Sequence, residues 1–485
     1  MSHSSQPALK EKPLHDHYDA VIVGSGPNGL SAAIALAEKG KKVVVLEAEK
    51  IAGGGMRSME LTLPGFTHDL CSAVHPLALA SPFLKSLPLE KFGLEWIHSP
   101  IALAHPLDDG DVIVAHKNFE KTCHELGIDA KTYRRIFKPF LRRADEIFQS
   151  TLRPLQFPRS PLLLSRLALR ILPPAEKLRK HFQTARGQAL IAGLCAHSTL
   201  PLEEPLSAGA GVMLTLALHG YGWPFPKGGA QSLTNALIAY LESLGGEIIV
   251  NHRVSSMKDI PPAKVILFDT SPRALCDIAG QRVEQNYKKK IKAYRYGPSV
   301  FKIDWALKEP IPWKNEECGK AGTVHIGGTY EEIAKSERNC WNKKISDRPF
   351  IILTQPSLFD DTRAPKGKHT AWAYCHVPHG STVDMTDAIE KQIERFAPGF
   401  QKTILKKSVM FPADIESHNA NNIGGDITGG VLNLKQFFAR PILQRDPYAT
   451  SDPSIFLCSA STPPGPGVHG MCGYFAAQSA LKVLK

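Results

Sequence analysis

The sequence predicts an α/β fold: a Rossmann-like nucleotide-binding domain assembled from discontinuous segments, joined to a substrate domain of helices and a mixed sheet. Three observations carry this prediction. A buried-strand pattern runs into G-x-G-x-x-G at Gly24, an αβ unit follows over 228–254, and a strand, loop and helix pattern occupies 455–484.

The first element is Tyr-Asp-Ala-Val-Ile-Val at 18–23, an apolar run of strand length, followed by Gly24-Ser25-Gly26-Pro27-Asn28-Gly29. Residues 31–39 are rich in helix formers, Gly40 suits a C-cap, and Val43 to Leu46 read as a second buried strand ending at Glu47. This is a βαβ unit. Gly24 permits the tight turn, Gly26 lets the backbone approach a pyrophosphate at the helix N-terminus, and Gly29 lets helix and strand pack closely. Glu47 lies 18 residues after Gly29, near the ~20 expected of an acid that binds a ribose hydroxyl. Its charge disfavours a 2′-phosphate and therefore NADP.

Gly53, Gly54 and Gly55 follow this acid by six to eight residues, which tips the cofactor from NAD toward FAD. An acid followed at this spacing by a glycine pair resembles the flavoprotein superfamily of amine oxidases and bacterial-type phytoene desaturases. The resemblance implies a glutathione-reductase-like FAD domain, with cofactor contacts from Gly24, Ser25, Gly26, Asn28, Gly29, Glu47, Ala48, Gly53 and Gly54. Many members carry Arg next, where this chain has Gly55 and delays its arginine to Arg57. The diphosphate role is carried over to Arg57.

The middle element, Gly228-Gly229, a helix over about 230–243, Gly245-Gly246-Glu247-Ile248 and Asn251 to Val254, is similar to a desaturase segment. That similarity implies that Val254 lies near the adenine. A short buried strand follows at 265–268. The third element starts with a strand at 455–458 and continues through a small-residue loop to a helix expected from Gly467, whose dipole suits a reduced, anionic flavin. Thr462, Pro464, Gly465 and Gly467 fit the desaturase pattern, while Ser459 and Ser461 replace glycines. The same resemblance implies flavin contacts from Ala460, Gly467, Val468 and Met471.

Further stretches are similar to one branch, typified by pyridine nucleotide-disulfide oxidoreductase domain-containing protein 2. They include 64–66, 348–350, 364–367, 396–400 and 438–441, in common order and spacing. The expected division is a flexible leader at 1–17, an FAD domain from 18–90, 225–290 and 436–485, and a substrate domain from 91–224 and 291–435.

At 485 residues, 43% of them hydrophobic, the chain can bury a large core. The nine cysteines include no C-x-x-C pair, and the second G-x-G-x-x-G, Gly465 to Gly470, comes too late to open another βαβ unit. Disulfide-reductase chemistry is therefore not expected. No apolar run reaches the roughly 18 residues of a membrane span. A cytoplasmic or peripheral membrane protein is expected, with organelle targeting left open by the polar, basic leader. The net charge of +12 is concentrated in 131–180, where thirteen Lys or Arg face three acids. There the leucines of 162–172 alternate with Arg166 and Arg170, as expected either of a helix on an anionic lipid surface or of a solvated basic face. No stacking aromatics accompany the charge, so nucleic acid is not an expected partner.

Flavin accepts a hydride, so the protein needs chiefly to place a substrate C–H and exclude competing reactions. Lys302, within Gly-Pro-Ser-Val-Phe-Lys at 297–302, resembles the amine-oxidase lysine that holds a water beside flavin N5; the alternative is a strand lysine facing solvent. His469 is the second catalytic candidate, with a structural histidine as its alternative. Arg440 and the loop 418–430 are candidates for the cavity wall. Val468 stands where amine oxidases place an aromatic ring, which favours an apolar substrate. No metal-ligand cluster is expected. The leading reading is an FAD-dependent dehydrogenase or desaturase for a lipophilic molecule, its electron acceptor open between oxygen and a quinone. The alternatives are an amine oxidase and a flavin-bearing scaffold.

Overall fold

A computed structural model describes residues 17–485; apart from His17, the expected leader lies outside the described residues. A five-stranded, fully parallel sheet is ordered Ile455–Leu457, Ala263–Phe268, Tyr18–Val23, Val43–Leu46 and Glu247–Ile249. These strands are mostly apolar, with charge only near the strand starts at Asp19, Glu247 and Lys264, because helices cover both faces of such a sheet. Three distant stretches of chain thus build one sheet. Its register sets Val23 beside Phe268 and Leu46, and Phe268 beside Leu457, so the strand ends converge on Gly24, Glu47 and Asp269. Ligands bind such sheets at these carboxyl ends.

Pro27 opens the first helix, Pro27–Ala37, where its missing N–H costs nothing. Gly29 permits close packing against the strand, since a Cβ there would lie 2.1 Å from the Gly24 carbonyl oxygen. Gly473 serves the crossing of this helix by Met471–Ala480: a Cβ would lie 1.8 Å from the Asn28 oxygen. This last helix begins four residues later than expected. Gly467 and Gly470 adopt φ of +125° and +67°, so the chain turns twice before helical geometry starts. The expected strand ending at Val254 is shorter too, and Val254 lies in the loop that follows.

The second sheet has seven strands, ordered Ile404–Met410, Ser299–Leu307, His369–Val377, Ile351–Thr354, Ala321–Ile326, Ile101–Pro106 and Val112–Ala115. Its pairs are antiparallel except Ala321–Ile326 with Ile101–Pro106. Ser299–Leu307 is buried on both faces, contrary to an alternating strand open to water. The basic segment folds into helices Ala130–Leu141, Ala144–Thr151, Pro161–Ile171 and Ala175–Arg179, packed mainly on Ser207–Tyr221. All nine cysteines are free.

Candidate active site

A cavity of about 980 Å³ starts at the glycine turn and extends between the two sheets to the helices 161–171 and 207–221. At its nucleotide end Gly24, Ser25, Gly26, Asn28, Glu47, Ala48 and Gly54 line the wall, as do Arg57 and Val254. Glu47, at the end of its strand, accepts hydrogen bonds from the Ser25 N–H (2.9 Å), the Ser25 hydroxyl and the Glu49 N–H (2.9 Å). Those bonds fix the carboxylate beside the turn. Gly53 donates its N–H to Ser25 Oγ at 3.0 Å and, like Gly29, supports the wall from behind. Arg57 is largely spent: Nε donates to the Gly54 carbonyl at 2.9 Å and an Nη to the carbonyl of His418. It braces the glycine loop while its side chain lines the cavity.

These residues fit the ADP half of FAD. The glycine turn, the helix start and the ribose acid share one continuous cavity, and the buried side-chain oxygen of Asn28 has no hydrogen-bond partner among the described residues. Asp269 qualifies the fit. Its Oδ2 accepts the Gly29 N–H at 2.8 Å, and burial, with Glu47 nearby, raises its pKa to about 7. A neutral carboxyl there tolerates a diphosphate better than an ionised one.

The opposite side of the cavity carries the polar chemistry. Lys302 is 3% exposed and lines the cavity, which excludes the solvent-facing alternative. Strand register sets Lys302 opposite Tyr374 and Asp304 opposite Trp372, so all four share one face. Lys302 Nζ donates a short hydrogen bond to Asp304 and lies 5.4 Å from the Trp372 ring centroid. Trp372 and Tyr374 stack at 5.7 Å with 15° between their planes, forming a flat aromatic wall. Behind them His68 Nδ1 is 3.5 Å from Asp304 Oδ1, and its Nε2 bonds Thr62 Oγ1 at 2.8 Å. Burial, with Lys302 and Arg363 nearby, lowers the His68 pKa to about 3, so His68 is neutral.

His469 is placed differently. It is 1% exposed, outside the cavity wall, with Nε2 on the Gly465 carbonyl (3.1 Å) and Nδ1 accepting the Met471 N–H (3.0 Å). Burial lowers its pKa to about 4. Both ring nitrogens therefore hold the turn into the last helix, which gives His469 a structural place. Met471 is buried in the core behind the wall, whereas Ala460, Gly467 and Val468 line the cavity. Arg440 lines it too, and donates to the carbonyls of Ala460 and Thr428 at 3.0 and 2.8 Å, which orders the 428–431 loop.

Helix Pro161–Ile171 divides the leucines of the basic segment among three surroundings. Leu163 is buried, Leu164, Leu167, Ala168 and Ile171 line the cavity, and Leu162 and Leu169 are 78% and 73% exposed. Leu155, Phe437 and Phe438 are both exposed and cavity-lining, which makes the rim apolar.

Asp304, Trp372, Tyr374 and Asp269 were not singled out in the sequence. For Asp304 the signal was there: a lysine and an acid two residues apart on a strand must share a face.

A family model described as flavin containing amine oxidoreductase matches residues 28–374. The chain is 24% identical to pyridine nucleotide-disulfide oxidoreductase domain-containing protein 2 of Rattus norvegicus, over 97% of this chain and 94% of that protein. It is also 24% identical to the lycopene-forming phytoene desaturase of Pseudescherichia vulneris, over 96% and 98%. Among solved structures, an oxidoreductase from Methanosarcina mazei has a TM-score of 0.63 at 15% identity, covering 96% of this chain and 99% of that one. Putrescine oxidase bound to putrescine has a TM-score of 0.61 at 15% identity, covering 97% and 99%. These structural likenesses establish the fold.

Proposed function

Because the chain belongs to the flavin containing amine oxidoreductase family and is an FAD-dependent oxidoreductase, we propose that it dehydrogenates a lipophilic small molecule bound in the 980 Å³ cavity. The observation that carries this reading is the part of the wall formed by the helices 161–171 and 207–221, where Leu164, Leu167, Ile171, Leu172, Met213 and Leu214 offer apolar surface. FAD supplies the hydride acceptor. The chain's part is to hold the substrate dry against the aromatic wall and to accept a proton. When a C–H bond gives up its hydrogen with the electron pair, the atom beside it loses a proton and a double bond forms. The Lys302–Asp304 pair is the acceptor within the cavity, provided the lysine first passes its own proton to the carboxylate.

The apolar rim supports a delivery route as well. Phe157, Leu162 and Leu169 are exposed beside Arg159, Arg166 and Arg170, a composition suited to docking on an anionic bilayer. Such docking would let a lipid enter the cavity without crossing water. Sedimentation with anionic vesicles tests it: binding should fall with added salt and with neutral lipid. Binding indifferent to both would overturn the docking proposal.

A second reading, amine oxidation, is favoured by the stacked Trp372 and Tyr374 and weakened by the aliphatic Val468 in the same cavity wall. One experiment separates the two. Holoenzyme mixed anaerobically with a panel of polyenes and long-chain lipids should lose its flavin absorbance, while putrescine leaves it unchanged. Rapid bleaching by the amine and none by the lipids would overturn the lipophilic reading.

A further inference from the structure

We infer that His197 presents a fixed hydrogen-bond donor, its Nδ1–H, to the substrate cavity, and that the substrate carries a neutral oxygen acceptor, such as a ketone or ester carbonyl, to receive it. The inference rests on the lipophilic-substrate reading and narrows it. It comes from the placement of two imidazoles.

His197 follows helix Ala185–Ala196 and lines the cavity, half-buried. Its Nε2 lies 3.1 Å from Nε2 of His325, which is fully buried on strand Ala321–Ile326. Burial pushes both imidazoles toward the neutral form, His197 to about 3 and His325 well below its usual value. Two neutral rings meeting through their Nε2 atoms share one proton between them: one donates and the other accepts.

The surroundings of His325 decide which. Its Nδ1 is buried without a partner and faces Gly193, where a Cβ would lie only 2.5 Å away. A proton on that nitrogen would be a buried donor with no acceptor, which is costly, whereas a bare lone pair against a glycine costs less. The neighbouring His105 follows the same pattern, with Nε2 on the Gly328 carbonyl and a bare, buried Nδ1. His325 therefore keeps its proton on Nε2 and donates it to His197 Nε2. The proton of His197 must then reside on Nδ1.

That Nδ1 has no partner among the described residues, yet it is not among the enclosed unpartnered atoms. It opens to the cavity. The cavity wall offers apolar surface from Leu172, Leu206, Met213 and Ile352 together with the hydroxyls of Ser198, Thr323 and Thr354, and the Trp223 indole N–H is already taken by Thr323 Oγ1 at 2.9 Å. An N–H fixed in the wall of a ligand cavity discriminates between ligands, since leaving it unpaired in the complex costs affinity. A pure hydrocarbon leaves it unpaired, and a carbonyl oxygen satisfies it.

Binding to the holoenzyme can be followed by fluorescence of Trp223 and Trp372, both in the cavity wall. The probes are methyl nonyl ketone and undecane, of equal chain length. His197→Phe should weaken ketone binding about ten-fold and leave undecane within about two-fold. Equal weakening of both ligands, or no effect on the ketone, would overturn the inference while the lipophilic reading stands. Failure of both ligands to bind the wild-type protein would overturn that reading and the inference with it. Imidazole nitrogen chemical shifts of the unmodified protein give a second measurement, independent of any variant. They should report His197 protonated on Nδ1, and protonation on Nε2 would overturn the assignment.

Discussion

Lys302 and Asp304 project from the same face of one buried strand and are joined there by a short hydrogen bond at the cavity wall. Burial raises the Asp304 pKa to about 6, against the opposing pull of the Lys302 charge. The pair thus holds an exchangeable proton within the physiological range. Lys302→Met should slow anaerobic flavin reduction about ten- to hundred-fold and leave the spectrum of bound FAD unchanged. In the unmodified enzyme the reduction rate should rise as pH passes about 6 and Asp304 ionises. Asp304→Asn should remove that limb in a stopped-flow pH series; an unchanged limb would exclude the carboxyl from proton transfer.

Asp269 makes cofactor retention depend on pH. Its folded pKa, about 7, lies above the ordinary value of 3.8, because burial disfavours the ion and the Glu47 charge adds to the penalty. The sign follows from proton counting: between those two values the folded state binds more protons than the unfolded one, so stability declines as pH rises through that window. A bound diphosphate would add negative charge and strengthen the effect. FAD should therefore dissociate more readily above about pH 7, and Asp269→Asn should tighten retention there about ten-fold. Fluorescence of released FAD at several pH values measures both effects, and equal retention by the two proteins at high pH would refute this role.

The residues most legible in the sequence were those whose constraint is local. Val43 to Leu46 and Val265 to Phe268 are continuous apolar runs because their sheet is covered on both faces, and Gly29 is fixed by a packing distance within its own turn. Asp304 stayed hidden because an alternating strand reads the same whether its polar face meets water or a cavity. His197 and His325 lie 128 residues apart, and only the fold brings their Nε2 atoms together. His469 marked the right turn, but residue type does not reveal that both its nitrogens are spent on the backbone. The leucines and arginines of 162–172 suggested either a lipid-facing helix or a solvated basic face, and packing divided the leucines between core, cavity and exterior.

The glycine turn should tolerate no side chain at its third glycine. In Gly29→Ala the new methyl would sit 2.1 Å from the Gly24 carbonyl oxygen and 3.1 Å from the Asp269 side chain. Backbone cannot yield there without moving the strand end. The variant should purify with less than about a tenth of the flavin carried by the wild type, since the turn aligns helix and strand around the pyrophosphate site. The ratio of flavin to protein absorbance reads this directly, and full occupancy would show that the turn can shift.

A buried ion pair joins the strand Thr67–Asp69 to the turn 361–363, 294 residues further along the chain. Arg363 and Asp69 are almost wholly enclosed, with Nη2 donating to Oδ2 at 2.5 Å and Arg363 Nε reaching the Thr67 carbonyl at 3.2 Å. Asp69 also accepts from Ser58 Oγ (2.6 Å) and from the Ala230 N–H (2.8 Å), at the start of helix Ala230–Ser243. A carboxylate thus ties a strand and a helix beside the nucleotide end to the segment that carries Arg363. Removing the guanidinium leaves that carboxylate buried with its charge unmatched. Arg363→Met should therefore cost about 3–5 kcal/mol in chemical denaturation. Adding Asp69→Asn should restore part of this loss, because the amide oxygen still accepts the Ala230 N–H and no charge is left stranded. If the double variant proved as unstable as the single one, lost packing of the long arginine side chain would be the cause, and the ion pair would not.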